Sequence, residues 1–205
     1  MSDTTSSAQA STDAGLLQSD NGLLQIDTTR FGPIEIAADH IIRFADGLLG
    51  FPAATQFALI QADDRQSNDA AAEGGCVFWL QSVDDPRLAF VVCDPTAFVP
   101  DFGIEQIPLR DDCRGELGIG EDDTDLDALQ VLAICNRVDE WLTGNLLGPL
   151  VVNAEKFVGK QIVLTEKRWG TRQPLIRLGR SGESQVADTA GRIGPDTPEK
   201  LRKTA

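Results

Sequence analysis

The sequence predicts an all-β protein, a sandwich or barrel of short strands. Three observations lead there. Short runs rich in aromatic and β-branched residues recur along the chain, some with the alternation of a half-buried strand, as in Ile34-Glu35-Ile36. Pro and Gly punctuate nearly every gap between them, at Gly50-Phe51-Pro52, Asp84-Asp85-Pro86, Asp94-Pro95 and Gly148-Pro149. The runs do not alternate with long helical patterns, so βαβ units are not expected.

Taken in order, residues 1–21 are rich in Ser, Thr, Ala, Asp and Gln without periodicity and read as a disordered N-terminal tail. Strands are expected at 23–27, 34–36, 41–44, 57–61, 76–81, 88–93, 131–135, 150–152 and 161–165. The strongest is Cys76-Val77-Phe78-Trp79-Leu80-Gln81. The first two strands flank a turn at Phe31-Gly32-Pro33, and Gly32, Gly47 and Gly50 are read as turn glycines. The polar segment 62–75 exceeds the usual hairpin loop of about 2–5 residues and reads as a mobile surface insertion. One helix is expected at 111–117, where an aspartate can accept from a free N–H of the first turn. The body is a single domain over 22–178. A polar, mildly basic tail, with a short helix near 198–203, occupies 179–205.

The 205 residues carry a net charge of -14. Residues 1–166 hold 9 Lys/Arg against 28 Asp/Glu, and residues 167–205 hold 9 against 4. Such an acidic body repels phosphate, which disfavours direct binding of nucleic acid or of an anionic membrane, and it favours basic partners. No apolar run reaches the roughly 20 residues of a membrane-spanning helix, and the N-terminus lacks the basic and apolar regions of a signal peptide. A cytoplasmic protein is expected.

Motifs that would carry catalysis are missing. The single histidine, His40, reads as a solvent-facing loop residue. Cys76, Cys93, Cys113 and Cys135 have no zinc spacing, and Cys76, Cys93 and Cys135 stand in or beside apolar runs, as buried thiols do. No metal or cofactor site is expected. Paired acids at 63–64, 84–85, 111–112 and 122–123 sit in polar turns that share solvent, which does not push two pKa values apart. Asp84-Asp85-Pro86-Arg87 reads as a β-turn. The densest acidic run, 111–127, holds eight carboxylates against Arg114 and lacks the ligand frame of a calcium loop. Gly-x-Ser-x-Gly, P-loop and Gly-x-Gly-x-x-Gly signatures do not occur.

Several blocks resemble the FliW family of flagellar assembly factors. Thr28-Thr29-Arg30-Phe31-Gly32-Pro33-Ile34-Glu35-Ile36 is similar to the family's opening. Ile42-Arg43-Phe44-Ala45-Asp46-Gly47-Leu48-Leu49-Gly50-Phe51 is similar to its next block. Phe78-Trp79-Leu80-Gln81-Ser82-Val83-Asp84-Asp85-Pro86 is the most specific match. Thr143-Gly144-Asn145-Leu146-Leu147-Gly148-Pro149-Leu150-Val151-Val152-Asn153 resembles the late block, and Gly159-Lys160-Gln161 comes after it. Their order and joint spacing, over residues 23–175, carry the assignment. Trp169, in a position where the family tends to have tyrosine, and the polar Cys135-Asn136-Arg137 depart from the pattern.

The resemblance implies a non-enzymatic protein with a compact, mainly β, barrel-like single domain, one or two short helices and disordered tails. It implies two protein partners. Flagellin is bound in the cytoplasm. CsrA, an RNA-binding translational repressor, is bound when flagellin has left for export, and repression of flagellin translation is then relieved without occupation of the RNA site. The free protein is read as a monomer. Candidate apolar anchors are Phe31, Ile34, Phe51 and Trp79, aromatic residues being enriched at interface hot spots. Asp84, Asp85 and the acids of 111–127 are candidates for a basic partner, and Glu35, Gln81 and Asn145 lie within the matching blocks. The alternatives are an enzyme using Asp84 or Asp85 as acid–base, a ligand-binding barrel with an open apolar interior, and an acidic interaction module without a flagellar role.

Overall fold

The computed structural model describes residues 22–61, 76–120, 126–178 and 185–186. The tail 1–21, the insertion 62–75, part of the acidic run and most of the C-terminal tail lie outside these residues. The chain begins with a hairpin, β1 (Leu23–Thr28) and β2 (Gly32–Ala37), that forms its own two-stranded sheet. Next come β3 (Ile42–Phe44), β4 (Gln56–Gln61), β5 (Val77–Ser82) and β6 (Ala89–Cys93). One short helix, α1 (Asp111–Glu116), precedes β7 (Leu129–Val138). The chain then forms β8 (Trp141–Gly144), β9 (Leu150–Asn153), β10 (Val158–Gln161), β11 (Gln173–Arg177) and the two-residue β12 (Gln185–Val186).

Strands β3 to β6 run to β7 as an antiparallel meander, β9 pairs with both β10 and β7, and β10 lies parallel to β3. This closes a seven-stranded barrel. Strand β7 is long enough to serve two neighbours on the edge opposite β6. Its first half, from Leu129 to Leu132, pairs with β9. Its second half, from Cys135 to Val138, pairs with β8. Strands β8, β11 and β12 continue outward from that second half as a flap.

The period of two in the strands sorts side chains into layers. On β5, β6, β7 and β9, residues Phe78, Leu80, Phe90, Val92, Leu132, Ile134, Leu150 and Val152 point into the barrel, with Phe44 and Phe57 from β3 and β4. Their alternates Val77, Val91, Cys93, Val131, Ala133, Cys135 and Val151 point outward and are covered by Phe102, Ile107, Leu117, Leu146, Ile162, Leu164 and Leu175. A third layer lies under the hairpin, where Leu24 and Ile26 pack with Ile41, Ala58 and Val83. The barrel interior is thus filled by side chains, unlike that of a ligand-binding barrel.

Gly159 shows what closure requires. A Cβ there would lie 2.6 Å from the Phe44 ring, so only glycine lets β10 close against β3.

The expected strands are present, with one shift. The strand expected at 161–165 ends at Gln161, and residues 162–165 carry no ladder. Strands β8 and β11 were not anticipated, and β12 lies beyond the expected domain limit at residue 178. His40 does not sit in a solvent-facing loop. It closes a single 3-10 turn, half-buried, and its ring stacks on Phe157 at 5.0 Å between centroids. The expected helix forms, and Asp112 accepts from the Cys113 N–H at 2.9 Å. Backbone φ is positive at Gly32, Gly47 and Gly50.

Candidate protein-binding surfaces

The first surface is built on the outer face of β5. In this row Ile60 pairs with Trp79 and Trp79 with Val91. Trp79 is half-buried, and its cross-strand partner Val91 packs on the layer outside β6 and β7. The hairpin tip leans over it. The Phe31 ring meets the Trp79 ring edge-on at 5.8 Å, and the Arg30 guanidinium lies 4.1 Å from the indole centre. Phe31 is 37% exposed, a surplus of apolar area at the end of a hairpin.

Local hydrogen bonds hold this tip. Thr28 Oγ1 accepts from the Phe31 N–H and donates to the Gly32 carbonyl, both at 2.8 Å, closing the turn. The Thr29 N–H donates to the Pro86 carbonyl at 2.8 Å, tying the tip to the turn that follows β5. That turn is organised from below by Gln81, whose side chain is buried. Its amide nitrogen lies 3.0 to 3.2 Å from the carbonyls of Ser82, Asp85 and Leu88, sharing two hydrogens among three acceptors. Gln81 therefore presents no surface and acts through the turn it shapes.

Above it, Asp85 accepts from the backbone N–H of Arg87 at 2.9 Å and pairs with its guanidinium at 3.2 Å. These bonds from Arg87 hold the Asp85 carboxyl below the usual carboxylate range. An acid–base reading of Asp85 needs the opposite shift. The structure thus gathers Phe31, Trp79, Gln81, Asp84 and Asp85 into one region. Ile34 sits half-buried over the third apolar layer, and Glu35 is exposed on β2.

Phe51 and Asn145 belong to a second region. The loop after β3 folds back on itself at a bridge between Leu48 and Phe51 and exposes Leu49 at its tip. Gly47 makes this possible. Its φ is +65°, and a Cβ there would lie 2.6 Å from the Phe51 and Pro52 carbonyl oxygens. Phe51 packs edge-on against Phe90 at 5.3 Å. The Leu49 N–H donates to Gln161 Oε1 at 2.8 Å, the Gln161 amide donates to the Gly148 carbonyl at 3.0 Å, and the Gly148 N–H donates to Asn145 Oδ1 at 3.0 Å.

Beside the loop lies a cleft of about 270 Å³, lined by Asp46, Leu48, Leu49, Pro52, Lys160 and Gln161 among others. Lys160 is mostly buried there and paired with both Asp46 and Glu116. Burial pushes the Lys160 ammonium toward deprotonation, and the two carboxylates outweigh it, so its pKa is raised. Sequence reasoning missed Arg30, Leu49, Lys160, Gln161 and Val163. Arg30, Leu49, Lys160 and Gln161 stand inside the family-like blocks, so a signal was present, but no local pattern shows which of those residues face outward.

Among the described residues no group of three or more His, Cys, Asp or Glu could hold a metal ion. No helix there is long and apolar enough to cross a membrane. All four cysteines are buried, and none of them is in a disulfide. Cys93 and Cys135 lie diagonally across β6 and β7, with sulfurs 3.2 Å apart. The hydrogen bond shared with Cys135, together with burial, raises the Cys93 thiol well above its ordinary value.

Comparison with known proteins places this geometry. The model of the FliW protein family matches residues 25–175. The flagellar assembly factor FliW of Alkaliphilus metalliredigens is 34% identical over 165 residues, covering 80% of this chain and 94% of that protein. FliW of Magnetococcus marinus is 35% identical over 153 residues, covering 75% and 85%. A crystal structure of the flagellar assembly factor FliW superposes with a TM-score of 0.60 at 31% identity, covering 73% of this chain and 95% of that one.

Proposed function

This chain belongs to the FliW family, and from that premise we propose that it is a flagellar assembly factor working by exchange between two protein partners in the cytoplasm. In this reading it holds flagellin until export. Once free, it binds a CsrA-type translational regulator and relieves repression of flagellin synthesis.

The observation that supports the reading is the Arg30, Phe31 and Trp79 platform. It offers aromatic area on the outer face of the sheet, under the hairpin tip. Aromatic and Arg side chains so placed supply the anchors of protein interfaces. Flagellin, the partner expected to bring apolar surface, is assigned to this platform. The net charge of -14 suits the other partner, because an RNA-binding regulator carries positive charge and opposite potentials speed and orient encounter. The same acidity disfavours direct contact with RNA.

Calorimetry of the full chain against the CsrA-type regulator of the same organism, with and without saturating flagellin, tests this. Tight binding of the regulator that flagellin abolishes is the expected result. Failure of both partners to bind would overturn the reading. The regulator's affinity should also fall as salt rises, since exposed charges are screened beyond about 8–10 Å at physiological ionic strength. A salt-independent affinity would remove the electrostatic part of the proposal.

A further inference from the structure

Three of the four large apolar side chains exposed among the described residues belong to the second region. Leu49 is 62% exposed, Val163 57% and Phe51 42%. Leu49 and Phe51 stand at the tip of the loop after β3, and Val163 follows two residues after Gln161, whose side chain accepts from the Leu49 N–H. Large apolar side chains exposed in one neighbourhood are what an interaction site presents.

The backbone beneath is built to hold this shape. Gly47 allows the loop to fold back, Gln161 ties its tip to β10, and Gly159 seats β10 against Phe44. The adjoining cleft, at about 270 Å³, falls below the roughly 300–1,000 Å³ usual for small-molecule sites. Its lysine is already committed to two carboxylates, leaving one negative charge in excess at the rim. Asp46 is 78% exposed there, so its outer face can meet a second cation.

We propose that Leu49, Phe51, Val163 and the cleft beside them form a docking surface for a segment of a basic protein. One large aliphatic side chain of that segment enters the cleft, and a neighbouring Lys or Arg meets Asp46 and Glu116. The charge of the whole chain, -14, steers such a partner and repels an acidic one, a second copy of this chain included. The proposal rests on the reading that this protein works by binding proteins, and it adds a surface separate from the Trp79 platform.

The test uses the isotopically labelled full chain and a short synthetic peptide of alternating Leu and Lys pairs, followed by amide NMR shifts. A peptide with Glu in place of Lys is the control. The expected result is shifts centred on residues 46–52 and 159–163, with the acidic peptide at least about tenfold weaker. Leu49→Ser and Asp46→Asn should each weaken the basic peptide about fivefold or more while the thermal melt stays unchanged, since both side chains are largely exposed. Absence of binding, equal binding of the two peptides, or shifts centred elsewhere would overturn the proposal. Concentration-dependent shifts of the same amides without peptide would assign the surface to self-association and overturn it too. The peptide needs neither flagellin nor the regulator. If it docks here while calorimetry finds no binding of the CsrA-type regulator, the surface stands and the partner proposed above falls.

Discussion

The guanidinium of Arg30 lies 4.1 Å from the centre of the Trp79 indole, which also takes the edge of Phe31. The hairpin tip and the barrel wall therefore share one aromatic ring. A cation over an exposed ring contributes about 0.5–1 kcal/mol, so Arg30→Ala should lower the unfolding free energy by no more than about that amount. Trp79→Ala should weaken flagellin binding by about tenfold or more with a nearly unchanged melt. Loss of binding and folding together, seen by parallel calorimetry and thermal unfolding, would assign Trp79 to packing alone.

Phe57 and Phe51 make a contrast inside one sequence neighbourhood. Phe57 is fully buried in the barrel and meets Phe44 edge-on at 5.7 Å. Phe57→Ala should cost about 3–5 kcal/mol in urea unfolding, as expected for a large core cavity. Phe51→Ala, at a side chain that is 42% exposed, should cost about 1 kcal/mol.

The thiol pair predicts chemical silence. Reactivity belongs to the thiolate, and Cys93 is held in its protonated form by Cys135 and by burial. Diagonal neighbours across antiparallel strands stand about 7–8 Å apart, beyond the Cα separation of about 4.4–6.8 Å usual in a disulfide. Folded protein at mildly alkaline pH should leave both residues unlabelled by a thiol reagent, and denatured protein should label fully. Rapid labelling of the native state, followed by peptide mass mapping, would contradict this.

Acid should loosen the turn after β5. Asp85 has a lowered carboxyl pKa in the folded state, through its bonds from Arg87. Its contribution is therefore complete above the unfolded carboxylate value and is lost as pH falls through the lower folded value. An NMR titration should place the Asp85 midpoint below 3.8, the ordinary value, and Asp85→Asn should remove the pH response of the Arg87 amide. A midpoint at or above the ordinary value would refute the pairing.

Most of the barrel was legible because its strands carry their signal locally. Residues 76–81 announce β5 by aromatic and β-branched content, and Pro or Gly marks the gaps. What stayed hidden depends on partners distant in sequence. Strand β8, Trp141-Leu142-Thr143-Gly144, is short and ends in glycine, and it exists because the second half of β7 offers it an edge. Strand β11 contains Pro174, tolerated where the pairing with β8 shifts register. Strand β10 lies earlier than expected, and it includes Gly159, a residue of low strand preference whose place is explained only by the Phe44 ring packed against it. The candidate site divides the same way. Turn chemistry around Asp84 and Asp85 was readable, while the meeting of Phe31 with Trp79 and of Leu49 with Gln161 arises only on folding.

Barrel closure sets a condition on synthesis. Strand β3 has no partner on one side until β10 arrives, and the Leu49 to Gln161 bond spans 112 residues. A growing chain on the ribosome can form the meander from β3 to β6 but must leave an open edge until residue 161 has emerged. Such non-local topologies fold on the order of milliseconds to seconds, and open edges invite pairing with other chains in that interval. A messenger truncated before β10 would therefore yield an aggregating product, with its loop after β3 untied from Gln161.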